Sequence, residues 1–194
     1  MADQKISAMP NATALTGAEI IPLVQSGANV KSTPDAINAL VTNHGSFYSL
    51  NDQTAVVNTA TPVQVELTAF AQEVSVVNDT DITFAKPGVY NLQFSLQLAN
   101  ANTQISTSSF WIRLNGNDYP SSNTDIDVPS SHGGNPGKIV AAWNIMGVAT
   151  TAGDYVQLMW STTNVQTRIE HIPAQSNPTR PATPSAIITI QQVA

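Results

Sequence analysis

The chain has 194 residues, no cysteine, seven Lys or Arg against thirteen Asp or Glu, a formal charge of -6 and a charged fraction of only 10%. Disulfides and thiolate metal sites are therefore excluded, as is the dense basic footprint that nucleic-acid binding requires. No run nears the ~20 apolar residues of a membrane-spanning helix, and the opening lacks the basic start and apolar stretch of a secretory signal.

Residues 1 to 43 read as an appendage. Pro10, Asn11 and Gly17 interrupt the opening. Thr16-Gly17-Ala18-Glu19 fits a capping box with little room before Pro22. Ile20 to Val24 is a short apolar run, and Ser26-Gly27-Ala28-Asn29 reads as a turn. Thr33-Pro34-Asp35 supplies an N-cap, a proline at the first helical position and an acid in the first turn. It predicts a short helix with Ile37, Leu40 and Val41 on one face. A helix so short is unstable alone. The segment needs a surface to pack on, whether its own domain, a second copy or another protein.

From residue 44 to 194 the pattern becomes all-β. The candidate strands are Thr61 to Leu67, Glu73 to Val77, Ile82 to Phe84, Val89 to Leu98, Phe110 to Leu114, Ile126 to Val128, Ile139 to Val148, Asp154 to Trp160, Val165 to Glu170 and Ala186 to Gln192. The clearest is Val89 to Leu98, where Tyr90, Leu92, Phe94, Leu96 and Leu98 alternate with Asn91, Gln93, Ser95 and Gln97. A strand turns alternate side chains to opposite faces, so one face is buried and the other wet, as in an antiparallel sheet. Asn115-Gly116 predicts a tight hairpin. Many short strands split by turns imply a sandwich or barrel.

Ile139 to Val148 and Tyr155 to Trp160 are apolar or small on both faces. A strand with two apolar faces must be covered twice, either by another subunit through Trp143, Ile145, Met146, Tyr155, Met159 and Trp160 or by the N-terminal segment or a loop folded over it. The tail from Ile172 carries Pro173, Pro178, Pro181 and Pro184, which predict an extended crossing before a last strand with Ile187, Ile188 and Ile190.

Candidate chemistry is sparse. Asp118, Asp125 and Asp127 could offer oxygens to a calcium ion but lack EF-hand spacing. His44, His132 and His171 are far apart, with no zinc-binding pair. Glu66, Glu73 and Glu170 could supply a glycosidase pair only if the fold brought them together. No Gly-x-Ser-x-Gly elbow is present. The reading assigns no catalytic residue, no cofactor and no metal. The loop His132-Gly133-Gly134-Asn135-Pro136-Gly137 suits surface contact, through His132 and Asn135. Trp111, beside Arg113, is the aromatic best suited to an exposed contact.

Several blocks resemble small bacteriophage virion proteins related to the C1q and tumour-necrosis-factor jelly roll. They are Phe84-Ala85-Lys86-Pro87-Gly88-Val89-Tyr90-Asn91-Leu92-Gln93-Phe94-Ser95, Trp111-Ile112-Arg113-Leu114-Asn115-Gly116, Ala141-Ala142-Trp143-Asn144, Gly153-Asp154-Tyr155-Val156-Gln157-Leu158-Met159-Trp160 and the run from Ile172 to Pro181. Lys5-Ile6-Ser7-Ala8-Met9-Pro10, Leu15-Thr16-Gly17-Ala18-Glu19 and Pro22-Leu23-Val24-Gln25 resemble the short attachment leader of phage tail and fibre proteins. The resemblance implies an antiparallel jelly-roll sandwich that forms a homotrimer. It implies a leader, residues 1–43, that docks on a capsid or tail protein through Ile6, Leu15, Ile20, Ile21, Leu23, Ile37 and Leu40. The expected place is the virion, assembled in the host bacterial cytoplasm. The expected partners are sister chains, other virion proteins and, in a receptor-binding alternative, a host-surface glycan or protein, with neither nucleic acid nor membrane. A carbohydrate-active enzyme is the more remote alternative.

Overall fold

The computed structural model describes residues 20–33 and 43–194, apart from the side chains of residues 23–25 and 146–149. Ile6, Leu15, Ile37 and Leu40, the side chains of Leu23 and Met146, and the helix expected after Thr33 lie outside the described residues. The chain divides into two units, Met1–Thr42 and Asn43–Ala194.

In the first unit β1 (Ile21–Gln25) and β2 (Ala28–Ser32) pair as an antiparallel hairpin. Its two turn residues, Ser26 (φ 51°) and Gly27 (φ 79°), both have positive φ. That handedness matches the twist of the flanking strands. The returning strand is not apparent in the sequence because Ala28–Ser32 holds a single β-branched apolar residue, Val30.

The second unit contains β3 (His44–Ser49), β4 (Gln53–Thr54), β5 (Thr61–Pro62), β6 (Leu67–Gln72), β7 (Val74–Val77), β8 (Asp81–Phe84), β9 (Gly88–Asn100), β10 (Ser106–Leu114), β11 (Asn117–Asp118), β12 (Thr124–Val128), β13 (Gly137–Thr150), β14 (Tyr155–Thr162), β15 (Thr167–Ile169), β16 (Gln175–Ser176), β17 (Thr179–Arg180) and β18 (Ala186–Gln192). The described residues contain no helix. One sheet runs β10–β14–β8–β7, with β11 and β12 sharing the far edge of β10 and β5 pairing on β14. The other runs β13–β9–β18–β3–β6, with β15 beside β18 on β9 and carrying β4. All pairs are antiparallel. Spatial neighbours are distant in sequence, with β18 between β9 and β3 and β14 between β10 and β8, so the C-terminal strand is tied into the sheet interior.

The two sheets enclose one apolar core. Phe47, Tyr90, Leu92, Leu96, Leu98, Ile188 and Ile190 come from one side, and Ile82, Phe84, Phe110, Ile112, Leu158 and Trp160 from the other. Ring pairs tie the layers: Phe84–Tyr90 at 4.4 Å and Phe94–Phe110 at 6.1 Å between centroids. The alternation read in Val89 to Leu98 is the alternation of β9, whose five apolar side chains are all buried.

Three expectations change. Of Thr61 to Leu67 only Thr61–Pro62 and the last residue, Leu67, which opens β6, pair in a ladder. The Gln53 side chain accepts from Gln64 N (2.8 Å) and donates to Gln64 O (2.9 Å), so an amide stands in for a neighbouring strand. Val63 and Val65 are therefore buried without a ladder. The proline-rich tail is not wholly extended, because β16 and β17 form a small hairpin within it. The third change concerns the presumed subunit contact. Trp160 and Met159 are 0% and 1% exposed in the single chain, which leaves them no surface for a partner. The reason is position: β14 is flanked by β10 on one side and by β8 and β5 on the other. Ile145 packs half-buried on the core, and Tyr155 is half-buried in the opposite sheet. Among the described side chains of that set Trp143 alone is strongly exposed, at 52%.

Candidate functional site

Two surfaces stand out, one on each sheet. The first is the outward face of β13–β9–β18–β3–β6. Burial alternates along these strands, so register fixes which residues share the face. One row is Ala142, Ser95, Ile187, Tyr48 and Leu67. The next is Asn144, Gln93, Thr189, Ser46 and Phe70, and the third includes Asn91, Gln191, His44 and Gln72. No Asp, Glu, Lys or Arg occurs in these rows. Phe70 is 57% exposed and Ile187 37%, and His44 lies 5.7 Å from the Phe70 ring. Charge depletion with scattered aromatic and aliphatic groups is the composition of an interface core, since amides and hydroxyls lose less than ions on leaving water.

The adjoining edge belongs to β13, which among the described residues pairs only with β9. Trp143 stands opposite Phe94 in that ladder and so shares the inner side, yet on this edge strand its indole is left half-exposed. Gly137, where β13 begins, is obligatory. A Cβ there would meet Pro129 O at 2.1 Å.

The second surface is a shallow pocket of about 390 Å³ on the outward face of the other sheet, lined by Ser109, Trp111, Asp118, Tyr119, Ser121, Asn123 and Ser161. The Asn115-Gly116 turn (φ 48° and 78°) folds β11 back on β10 and sets Asp118 opposite Arg113. Trp111 Nε1 and Arg113 Nε each donate to Asp118 Oδ1 at 2.8 Å. The Arg113 hydrogen bond, followed by that of Trp111, holds the Asp118 carboxyl below the usual range, so it is ionised at neutral pH. Asp125 is lowered by hydrogen bonds from Ser109 and then Asn123. Asp127 accepts from the Thr107 hydroxyl at 2.7 Å. The three acids considered for calcium are thus engaged by separate neighbours, and no group of metal-binding side chains converges among the described residues.

His132 and Asn135 do not line this pocket. They face each other across a tight turn, paired both ways at 2.9 and 3.0 Å over Gly133 and Gly134 at positive φ. The glycine-rich loop is therefore a compact exposed turn. Trp111, unlike His132 and Asn135, lines this pocket.

Two of the three carboxylates considered for hydrolysis, Glu66 and Glu170, are occupied structurally. Glu66 Oε1 accepts from Ser49 Oγ (3.1 Å), Leu50 N (3.2 Å) and Asn51 Nδ2 (2.8 Å). Glu170, with a side chain 10% exposed, is ion-paired to both Lys138 and Arg168. It borders a second cleft of about 300 Å³ with Gln97, Leu98, Lys138, Ile139, Val140 and Ile172. Burial pushes the Glu170 carboxyl up, but the hydrogen bonds from Lys138 and Arg168 outweigh it and the net shift is down. Its contribution to stability is thus present above the ordinary glutamate value of 4.5 and is lost as pH falls through the lower folded value. Glu170→Gln is expected to cost about 1–2 kcal/mol at pH 7, the half-exposed Lys138 moderating the penalty for breaking a buried pair. Urea unfolding of the variant should then show a flatter loss of stability below pH 4.5 than the parent.

No family model matches the chain, and no curated protein matches it. Among solved structures it is similar to Eiger TNF from S. frugiperda, with 11% identity and a TM-score of 0.51 over 79% of this chain and 93% of that one. It is also similar to murine APRIL, with 9% identity and a TM-score of 0.45 over 79% of this chain and 100% of that one. The likeness to the Eiger domain identifies the fold as a TNF-like jelly roll, and at that identity it speaks of fold alone.

Proposed function

We propose that the chain is a non-enzymatic structural protein of a bacteriophage virion, whose jelly roll forms a homotrimeric knob and whose residues 1–43 seat that knob on a capsid or tail component. The observation that carries the assembly reading is the patch of three rows without a charged side chain across five strands, bordered by the open β13 edge with its exposed Trp143. An edge of one copy laid on the face of the next is a heterologous contact, and a rotation that closes after three copies satisfies every edge. The phage setting is supported by the sequence blocks that resemble virion jelly rolls and by the leader-like opening. Three leaders on one trimer raise the effective concentration of each docking contact, so weak individual binding becomes durable attachment. Ile20 of the leader set is 66% exposed, and Ile21 is half-buried in its hairpin.

Deleting residues 1–42, up to the boundary between the two units, is expected to leave a soluble trimer that no longer enters particles. Particle incorporation scored beside the mass of the truncated protein checks both halves. Incorporation at the parental level would overturn the docking role. A receptor-binding tip is the second reading, favoured by the pocket at Trp111.

A further inference from the structure

We infer that the pocket at Trp111 binds a neutral hexopyranose unit of a glycan. It lies within one protomer, on β10, β11, β14 and the segment leading into β12, so this inference stands apart from the trimer.

The chemistry of the lining selects the ligand. Trp111 is half-buried, and its indole nitrogen is fixed on Asp118 at 2.8 Å, so the ring is oriented before any ligand arrives. An oriented indole presents a flat apolar face that suits the C–H face of a pyranose. Around it stand groups that match sugar hydroxyls: the hydroxyls of Ser109, Ser121 and Ser161, the amide of Asn123 and the ionised carboxylate of Asp118. A carboxylate offers about four acceptor positions, and the two donors found here both reach Oδ1. Hydrogen bonds to a charged acceptor are stronger than those between neutral groups, which suits it to grip a hydroxyl pair.

Charge narrows the choice. Arg113 pairs with Asp118 at 2.8 Å, and Ser109 and Asn123 engage Asp125, so neither carboxylate is left open to a cationic ligand. Asp125 lies opposite Ser109 in the ladder and is held ionised, which disfavours an anionic sugar. An uncharged polyhydroxylated ring fits what is left. The volume, about 390 Å³, falls at the small end of the roughly 300–1,000 Å³ of ligand pockets, enough for a terminal sugar and not for a long chain. The site is built from a tight turn and three paired strands, so little ordering is needed on binding.

The test is an NMR titration of the full chain with the methyl glycosides of glucose, galactose, mannose and N-acetylglucosamine, and separately with N-acetylneuraminic acid. The three indole N–H resonances report the outcome: Trp111 is assigned by Trp111→Phe, while Trp143 and Trp160 serve as controls for folding. We expect at least one neutral glycoside to shift Trp111 saturably, in the millimolar range or tighter, with Trp160 unmoved. Trp111→Ala, read through the Asn123 side-chain amide and the backbone amides of Ser109 and Ser161, should abolish the response, and Asp118→Asn should weaken it about tenfold, as loss of a charged hydrogen bond implies. No saturable shift with any neutral glycoside, a response unchanged in Trp111→Ala, or stronger binding of the anionic sugar would each overturn the assignment. Assembly is read separately by mass, so a monomeric chain that still binds sugar leaves this inference standing.

Discussion

Trp160→Ala is expected to be the most damaging single substitution, costing about 3–5 kcal/mol against a total stability of about 5–15 kcal/mol for a domain of ordinary stability. Trp160 is fully buried, on the inner face of β14 and opposite Phe110 in the ladder. Truncation removes its burial and leaves a hole that the surrounding sheets cannot close. A fall in the urea midpoint with an unchanged slope would show it. Trp143→Ala provides the contrast. With half its surface in water it should lose about 1 kcal/mol or less of protomer stability, its main effect falling on assembly. Equal losses at the two positions would mean that Trp143 belongs to the core and not to an interface.

Thr189→Glu should convert the trimer to monomers without unfolding them. Thr189 sits in the middle row of the patch without a charged side chain, between Gln93 and Ser46. Neither neighbour can neutralise a carboxylate. Burying an unpaired charge costs several kcal/mol, and the three-fold arrangement imposes that cost at each of its contacts. At about 3 kcal/mol each, affinity falls more than a hundredfold. Ser75→Glu, at an exposed position of the opposite sheet, should leave the trimer intact. Size-exclusion chromatography with light scattering on both variants distinguishes a loss specific to that face from a general effect of added charge. An unchanged trimer in Thr189→Glu would place the interface elsewhere.

What the sequence disclosed depended on whether one face of a strand answered to one environment. β9 was legible because from Tyr90 to Leu98 its apolar side chains enter the core in strict alternation with polar ones on the other face. The Asn115-Gly116 hairpin was legible because positive φ at both residues has few chemical solutions. β13 and β14 read alike, yet lie in opposite sheets, one at an edge and one inside. Apolar residues on both faces identified strands needing extra cover, but the source of that cover is a tertiary fact. β3 and β6 were not evident, since Gly45, Ser46 and Ser49 dilute the first and the second is mostly exposed. The pocket was half visible. A two-residue turn after Leu114 sets Arg113 against Asp118, and an outward Trp111 follows from alternation with Phe110 and Ile112. Ser161 reaches the same pocket only because β14 pairs with β10, a relation between segments some fifty residues apart that no local pattern records.

The mass of the full chain in solution is the most direct check on the assembly account. Sedimentation at micromolar concentration should give one species at three times the 20.5 kDa chain mass, and it should dissociate when Thr189 becomes Glu. A homogeneous 20.5 kDa species under the same conditions would contradict it.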